Sequence, residues 1–345
     1  MADKYWWPSG GTGSSTGAWS STTNWSSSSA SYVSTTAPTT ADNANFGSYS
    51  GSSAFTVTIA AAANCANLTI ANANMTLAGT STLGISGNVT VSAFSSRTYT
   101  GVITFGGSGP GPFSLNFGSM ALASGLIFSG TGTRTLASNL TTNGQITHTA
   151  GTITAGTFNV QASAYSSPSG AGRVLNMGSG TWTITGSGSN WNVVGSLTVN
   201  CGTSTINLAN SGATTFIGGS KTYYNLNLGS SYAKTISGSN IFNNITNSVQ
   251  PTTLTLTAGT TQTVTSFNVN GTVGNLVTLN SSVTGSQATL SCSSGSISCD
   301  YLNIKDSNVT GGATWTAGLN SVDSGNNTGW NFLGASKGNF FLLLG

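Results

Sequence analysis

Glutamate is absent from this sequence of 345 residues, and charged residues of any kind make up only 4% of it. The acids are all aspartates: Asp3, Asp42, Asp300, Asp306 and Asp323. Soluble globular domains usually carry about 25% charged residues. Because helices keep their solvent faces wet largely with Glu, Lys and Arg, this scarcity argues against a helical protein. The polar surface must come from Ser, Thr, Asn and Gly, which favour turns and strands. The sequence therefore predicts an all-β fold.

Two further absences exclude common partners. The eight Lys and Arg residues are scattered, and with a net charge of +3 they form no basic stripe, which argues against a nucleic-acid partner. No apolar run reaches the roughly 18 residues of a membrane helix, so no membrane insertion is predicted. The start of the chain has no apolar stretch of signal-peptide length. We therefore expect synthesis in a host cytoplasm without a signal peptide.

Cysteine and histidine are also scarce. Four cysteines are too few for a disulfide scaffold of this length, and with one histidine and no Cys-x-x-Cys motif a zinc site is not expected. Cys292 and Cys299 could bridge neighbouring strands or could be small buried core residues. His148 alternates with apolar neighbours and has no acid near it in the sequence. No cofactor and no metal site are predicted.

The chain does contain short β-type segments separated by Gly, Ser or Asn. Hydrophobic residues make up 37% of the sequence, enough for a thin core. Segments such as 55–59, 67–70, 88–91, 224–228 and 301–304 alternate apolar residues with Thr, Ser or Asn. This period of two is typical of a strand that buries one face.

The phrase apolar-Asn/Thr-apolar recurs with a period near 20. Leu68 and Val89 are 21 residues apart, Leu226 and Ile245 are 19 apart, and Ile245 and Phe267 are 22 apart. Such a period, without helical segments between strands, indicates a β-solenoid, that is, a parallel β-helix. Asn and Thr would stack on identical neighbours across the strand spacing of about 4.8 Å. Tandem β-sandwiches are the alternative, because hairpins also give regular spacing.

Three segments are expected along the chain. Residues 1–55 form an N-terminal piece with four tryptophans, residues 56–330 form the solenoid body, and residues 331–345 form a short hydrophobic C-terminal tail. The residues predicted to make interactions are Trp6, Trp7, Trp19, Trp25, Phe340, Phe341, Leu342, Leu343 and Leu344. The indoles could form a hydrophobic cap, anchor the protein on a larger particle, or stack on sugar rings. The tail could pack on the last coil or dock into a partner.

Catalytic residues are not expected. Asp300 and Asp306 are the closest acids, and Lys305 lies beside Asp306. β-Helix enzymes that cleave polysaccharides use clustered acids, but six residues along one strand span roughly 20 Å. Only a turn would bring the two carboxylates together. We interpret them as solvated strand ends or turn caps.

The two ends of the sequence resemble known proteins more closely than its middle does. Tyr5-Trp6-Trp7, Gly10–Gly13, Asn24-Trp25-Ser26 and the segment 38–46 resemble the opening of uncharacterised repeat proteins from marine and environmental bacteriophages and bacteria. The segments 254–264, 300–306 and 326–330 are also similar to them. The resemblance covers about half of the chain and offers no catalytic residues. It implies a structural protein of a virion or of a surface.

The expected function is therefore a non-enzymatic bacteriophage virion protein, a fibre, an appendage or a decoration element on the capsid or tail, with a part in host attachment. The expected partners are other virion proteins, further copies of the chain, such as a trimer, and host surface glycans. A bacterial surface adhesin or filament subunit and a tailspike-like enzyme that degrades polysaccharide are the alternatives. The expected location is the surface of the virion.

Overall fold

The structure is a computed structural model that describes residues 1–7, 16–47, 53–170 and 172–334. Among these residues there are 38 strands, one 3-10 turn at Thr22–Asn24 and no α-helix. The chain is all-β, and its parallel sheets stack as a β-solenoid of about 13 turns. This confirms the predicted fold class over tandem β-sandwiches.

The strands are short, and nearly all of them pair in parallel. The first are β1 (Ala2–Trp6), β2 (Gly17–Ala18), β3 (Trp25–Ser26), β4 (Asp42–Phe46), β5 (Phe55–Ile59), β6 (Ala63–Cys65), β7 (Leu68–Gly79), β8 (Leu83–Ile85), β9 (Val89–Arg97), β10 (Ile103–Phe105), β11 (Phe113–Asn116), β12 (Ala121–Leu122), β13 (Leu126–Phe128), β14 (Thr133–Leu136), β15 (Leu140–Thr142), β16 (Gln145–His148), β17 (Thr152–Thr154), β18 (Val160–Ala162), β19 (Ala164–Ser167), β20 (Val174–Asn176), β21 (Thr181–Ile184), β22 (Gly188–Val193) and β23 (Thr198–Asn200). The later ones are β24 (Thr205–Leu208), β25 (Thr214–Ile217), β26 (Thr222–Leu228), β27 (Lys234–Ser237), β28 (Ile241–Asn247), β29 (Thr253–Leu256), β30 (Thr261–Asn268), β31 (Val277–Ser281), β32 (Ala288–Cys292), β33 (Ser296–Cys299), β34 (Leu302–Lys305), β35 (Ser307–Gly311), β36 (Thr314–Ala317), β37 (Val322–Asp323) and β38 (Trp330–Phe332).

The chain divides into two compact units. Unit 1 consists of residues 1–185 and 190–205, and unit 2 consists of residues 186–189 and 206–345. In unit 1 one sheet has the order β23-β20-β17-β14-β11-β9-β7-β4-β1-β3, a second runs β6-β8-β10-β13-β16-β19-β22, and a third runs β12-β15-β18-β21. In unit 2 the orders are β25-β27-β29-β31-β34-β37, β26-β28-β30-β32-β35 and β33-β36-β38.

The register of these strands matches the predicted repeat. Leu68 pairs with Val89 in unit 1, while in unit 2 Leu226 pairs with Ile245 and Ile245 with Phe267. Most strands alternate buried and more exposed residues; Phe55–Ile59, for example, buries Phe, Val and Ile. The apolar residue of one coil therefore packs on the apolar residue of the next.

Aromatic rings stack inside both units in the same way. Phe105 and Phe128, on paired strands of unit 1, have stacked rings with centroids 4.8 Å apart. Tyr165 and Trp191, on paired strands further along the same sheet, stack at 4.8 Å. In unit 2 the rings of Tyr223 and Phe242 stack at 5.7 Å. These stacks widen the thin aliphatic core.

Candidate interaction surfaces

The tryptophans of the N-terminal piece build a buried cluster in unit 1. Trp25 lies 5.2 Å, centroid to centroid, from both Trp6 and Trp19, and all three rings contact Phe46 at 5.4 to 5.8 Å. Trp6, Trp19 and Trp25 are at most 2% exposed. The indole N–H of Trp25 donates to the carbonyl of Trp19 at 2.7 Å. The flat faces of these three indoles therefore contact protein, while Trp7 is half-buried.

Two tryptophans of this cluster, Trp6 and Trp25, lie on the two strands that pair antiparallel. β1 pairs in parallel with β4 but antiparallel with β3, through Tyr5 with Ser26 and Trp6 with Trp25. β3 is the last strand of that sheet. An antiparallel strand of two residues offers little edge to another parallel coil. The three buried indoles therefore lie on or beside the end strand of this sheet.

The predicted tail residues Phe340, Phe341, Leu342, Leu343 and Leu344 lie outside the described residues. The described chain before them continues the aromatic packing of unit 2. Trp315 lies 5.5 Å from Trp330, and the Trp330 indole N–H donates to Ser307 Oγ at 3.0 Å.

Asparagine side chains form ladders that join successive coils at their turns. In unit 1 the Asn67 amide donates to Asn43 Oδ1 at 2.7 Å, and Asn67 Oδ1 accepts from the backbone N–H of Asn88 at 2.6 Å. Asn88 Oδ1 in turn accepts from the N–H of Ser114 at 2.7 Å. In unit 2 Asn227 repeats the arrangement.

There, the Asn227 amide donates to Asn207 Oδ1 at 2.9 Å, and Asn227 Oδ1 accepts from the N–H of Ser248 at 2.9 Å. Each such amide satisfies backbone groups that a turn would otherwise leave unpaired. These ladders match the predicted stacking of Asn and make a polar, uncharged outer face.

Two aspartates of unit 2, Asp300 and Asp306, accept hydrogen bonds from residues in turns. Asp300 Oδ1 accepts from the N–H groups of Tyr301 and Asn320 at 2.8 and 3.0 Å. Although partial desolvation raises the pKa of Asp300, these bonds and others lower it below its ordinary value. Asp306 is 2% exposed and accepts from the N–H of Gly285 and the amide of Asn326. Each carboxylate is engaged by its own turn, so the two do not share a site.

His148 is buried in the core of unit 1. Its Nε2 lies 3.0 Å from the carbonyl oxygen of Gly151, which can only accept, so Nε2 carries the proton. Nδ1 therefore accepts from the hydroxyl of Tyr165 at 2.9 Å. Desolvation by burial lowers the pKa of His148 to about 4. The imidazole is neutral and fully engaged.

The remaining titratable groups of interest are also buried. Cys65, Cys292 and Cys299 are buried free thiols, and desolvation raises the pKa of Cys65 and of Cys299 to about 12. These two thiols therefore stay protonated and unreactive at neutral pH. In the part of the chain that the structure describes, no three His, Cys or acidic side chains come together as a metal site would require. Nor does any helix there have the length and apolarity to cross a membrane.

A surface groove of about 460 Å³ lies in unit 1 beside the asparagine ladder. Its lining is formed by Met1, Thr40, Ala66, Asn67, Ser86, Gly87, Asn88, Gly106, Gly107, Ser108, Gly109 and Phe113. The glycine-rich stretch Gly106–Gly111 lies in the turn that connects β10 to β11. The groove forms where this turn stacks on the coils that carry Asn67 and Asn88. Which residues of the three coils lie over one another depends on the number of residues in each coil. A second depression of about 270 Å³ in unit 2 is lined by Gln250, Asn275 and their neighbours.

The chain was compared with family models, with curated proteins and with solved structures. No family model, no curated protein and no solved structure matches the chain.

Proposed function

We propose that this chain is a non-enzymatic structural protein on the exterior of a bacteriophage particle, as a fibre, an appendage or a decoration element of the capsid or tail. The observation that carries the proposal is the β-solenoid with uncharged asparagine ladders at its turns. This fold is compatible with fibre or tailspike-like proteins. The resemblance of both chain ends to repeat proteins of phages supports the same function.

The physical properties of the described surface suit display outside a cell. Coils joined by backbone and amide hydrogen bonds do not depend on ion pairs, so salt screening has little to weaken. A nearly uncharged surface also repels its own copies weakly and favours assembly. Other virion proteins and further copies of this chain are the partners that we propose.

Purified particles from lysed cultures that produce the protein test this proposal. Mass spectrometry should detect the chain in the particles, and cryo-electron microscopy should show solenoid density attached to the capsid or tail. Hundreds of copies per particle would indicate decoration, and tens or fewer would indicate a fibre. Particles from a culture with the gene deleted are the control. Absence from particles together with presence on cell surfaces would overturn the proposal in favour of an adhesin.

A further inference from the structure

The groove beside the asparagine ladder of unit 1 has the size and the walls of a ligand site. We call it the Asn88 groove, with the lining given above. Its volume of about 460 Å³ lies within the roughly 300–1,000 Å³ of small-molecule sites. In one wall Gly106, Gly107 and Gly109 leave Ser108 as the single side chain, so that a ligand can approach the backbone closely.

The lining offers neutral hydrogen-bonding groups and one aromatic ring. No charged side chain belongs to it. Asn88 is exposed, and its Oδ1 is held by the N–H of Ser114, while its amide nitrogen has no acceptor among the described residues. That N–H₂ group is available to a ligand. Phe113, half-buried, supplies an apolar face in the same lining.

The walls of the groove are held in place before any ligand arrives. The Arg134 guanidinium lies 4.1 Å from the centre of the Phe113 ring. Its Nη2 donates to the carbonyl oxygens of Ser86 and Gly107, at 3.0 and 3.4 Å, so that one buried side chain ties two wall segments together. The ladder bonds fix Asn67 and Asn88 in the same way. A rigid site loses little conformational entropy when it binds.

From these groups we infer that the Asn88 groove binds a short stretch of a neutral carbohydrate. Anionic ligands such as a nucleotide or a uronic acid are bound best where Lys or Arg supplies charge-assisted hydrogen bonds, and the lining contains neither residue. Sugar hydroxyls both donate and accept, as do an asparagine amide and bare backbone. The C–H face of a sugar ring packs against an aromatic ring such as Phe113. For its biological meaning the inference rests on the proposed function on the exterior of a particle, together with the part in host attachment expected from the sequence, but the binding itself can be tested on the isolated chain.

The test is a screen of the whole purified chain on an array of neutral and acidic bacterial glycans, followed by titration calorimetry with the strongest neutral hit. Asn88→Asp keeps the ladder acceptor and replaces the available N–H₂ with a carboxylate oxygen. Asn159→Asp is the matched control, because exposed Asn159 accepts from the N–H of Thr181 at 2.8 Å, just as Asn88 accepts from Ser114, and Asn159 is not in the lining. We expect Asn88→Asp to weaken binding about tenfold or more and Asn159→Asp to leave it unchanged.

Gly106→Leu is a second variant that leaves the ladder alone. A Cβ at residue 106 meets no atom nearer than Ser129 Oγ at 3.8 Å, so a β-carbon fits there. Because Gly106 is exposed and belongs to the lining, we expect the leucine side chain to fill part of the groove. It should abolish binding without lowering thermal stability. The inference is overturned if no neutral glycan binds, or if the Asn88 and Gly106 variants bind as well as the unaltered chain. Incorporation into particles is measured separately, so its failure would count against the proposed function and not against the groove.

Discussion

Lowering the pH from 7 to 5 should destabilise unit 1 by about 2 kcal/mol through a single imidazole. His148 is buried with its pKa lowered to about 4, against 6.5 for an exposed histidine. Between pH 6.5 and pH 4 the imidazole is therefore protonated in the unfolded chain and neutral in the folded chain. The contribution of neutral His148 is fully present above pH 6.5 and is lost as the pH falls towards 4. At pH 5 the solution is about 1.5 pH units below the pKa of the unfolded imidazole. Each unit corresponds to about 1.4 kcal/mol, so the loss of stability is about 2 kcal/mol.

The composition leaves His148 as the single side chain of ordinary pKa that is expected to titrate between pH 7 and 5 in the unfolded chain. His148 is the only histidine, and there is no glutamate, so between pH 7 and 5 no other side chain of ordinary pKa titrates. Asp42 and Asp300, whose pKa values are lowered, stay ionised there. Any change in stability over the window is therefore assigned to one group.

Carbon-13 labelling of histidine gives the direct assay, because the spectrum then contains one imidazole. We expect no titration of its signal from pH 7 to 5, and a loss of stability of about 2 kcal/mol in urea unfolding over the same range. His148→Gln keeps a donor for Gly151 and cannot titrate, so its stability should be independent of pH in this window. A folded-state midpoint near pH 6.5, or an equal pH dependence in His148→Gln, would refute the burial argument.

Three other substitutions test the packing of the two units. Lys234→Met should stabilise unit 2 by about 1–3 kcal/mol at pH 7, because burial lowers the pKa of Lys234 to about 8, and the gain should vanish above pH 10.5 in thermal scans. Trp25→Ala should cost about 3–5 kcal/mol and expose the N-terminal strands to hydrogen exchange, whereas exposed Val33→Ala should not. Asn227→Ala should cost about 0.5–1.5 kcal/mol in urea unfolding, because it removes the hydrogen bond that the exposed N–H of Ser248 donates; Asn227→Asp should restore that bond and so part of the loss.

The coil-to-coil register could be predicted from the sequence. Leu68 with Val89 and Leu226 with Ile245 lie at the separation that coil-to-coil stacking predicts, and each pair is in register in the structure. Alternation with Thr and Asn marked the outward positions, because a strand exposes every second side chain. The ladder of asparagines follows from the same repeat.

Features that depend on how turns of unequal length superimpose could not be predicted. Alternation places Arg134 and Lys234 on the same strand face as the buried Leu136 and Ile236. A charged residue is nevertheless expected to be exposed, and nothing in the local sequence predicts that these two are buried. The antiparallel pairing of Trp6 with Trp25 needs a reversal within a Ser-rich stretch that has no period. The Asn88 groove depends on Gly106–Gly109 lying over coils about 20 residues earlier, and the sequence fixes neither the offset nor the cavity.

The missing glutamate has a physical explanation in the stacking itself. Along a parallel stack, residues at one position of successive coils lie about 4.8 Å apart. Two like charges at that spacing repel by about 1 kcal/mol in water and about 3 kcal/mol near a protein surface. A repeated Glu or Lys would suffer this at every coil, whereas Asn and Thr bond to their own copies.

The charged residues that do occur follow this rule. In every described pair that contains one, its partner in register is uncharged: Lys4 with Ala44, Arg97 with Leu77, Arg134 with Phe113 and Ile153, Lys234 with Thr214 and Leu254, Lys305 with Asn280, Asp3 with Asn43, Asp42 with Ala2, and Asp323 with Ile304. Charge is therefore admitted only singly, and a polar surface on such a stack has to be built from neutral amides and hydroxyls. Those same groups donate and accept the hydrogen bonds that neutral sugar hydroxyls require, so the composition and the inference about the Asn88 groove point to the same class of ligand.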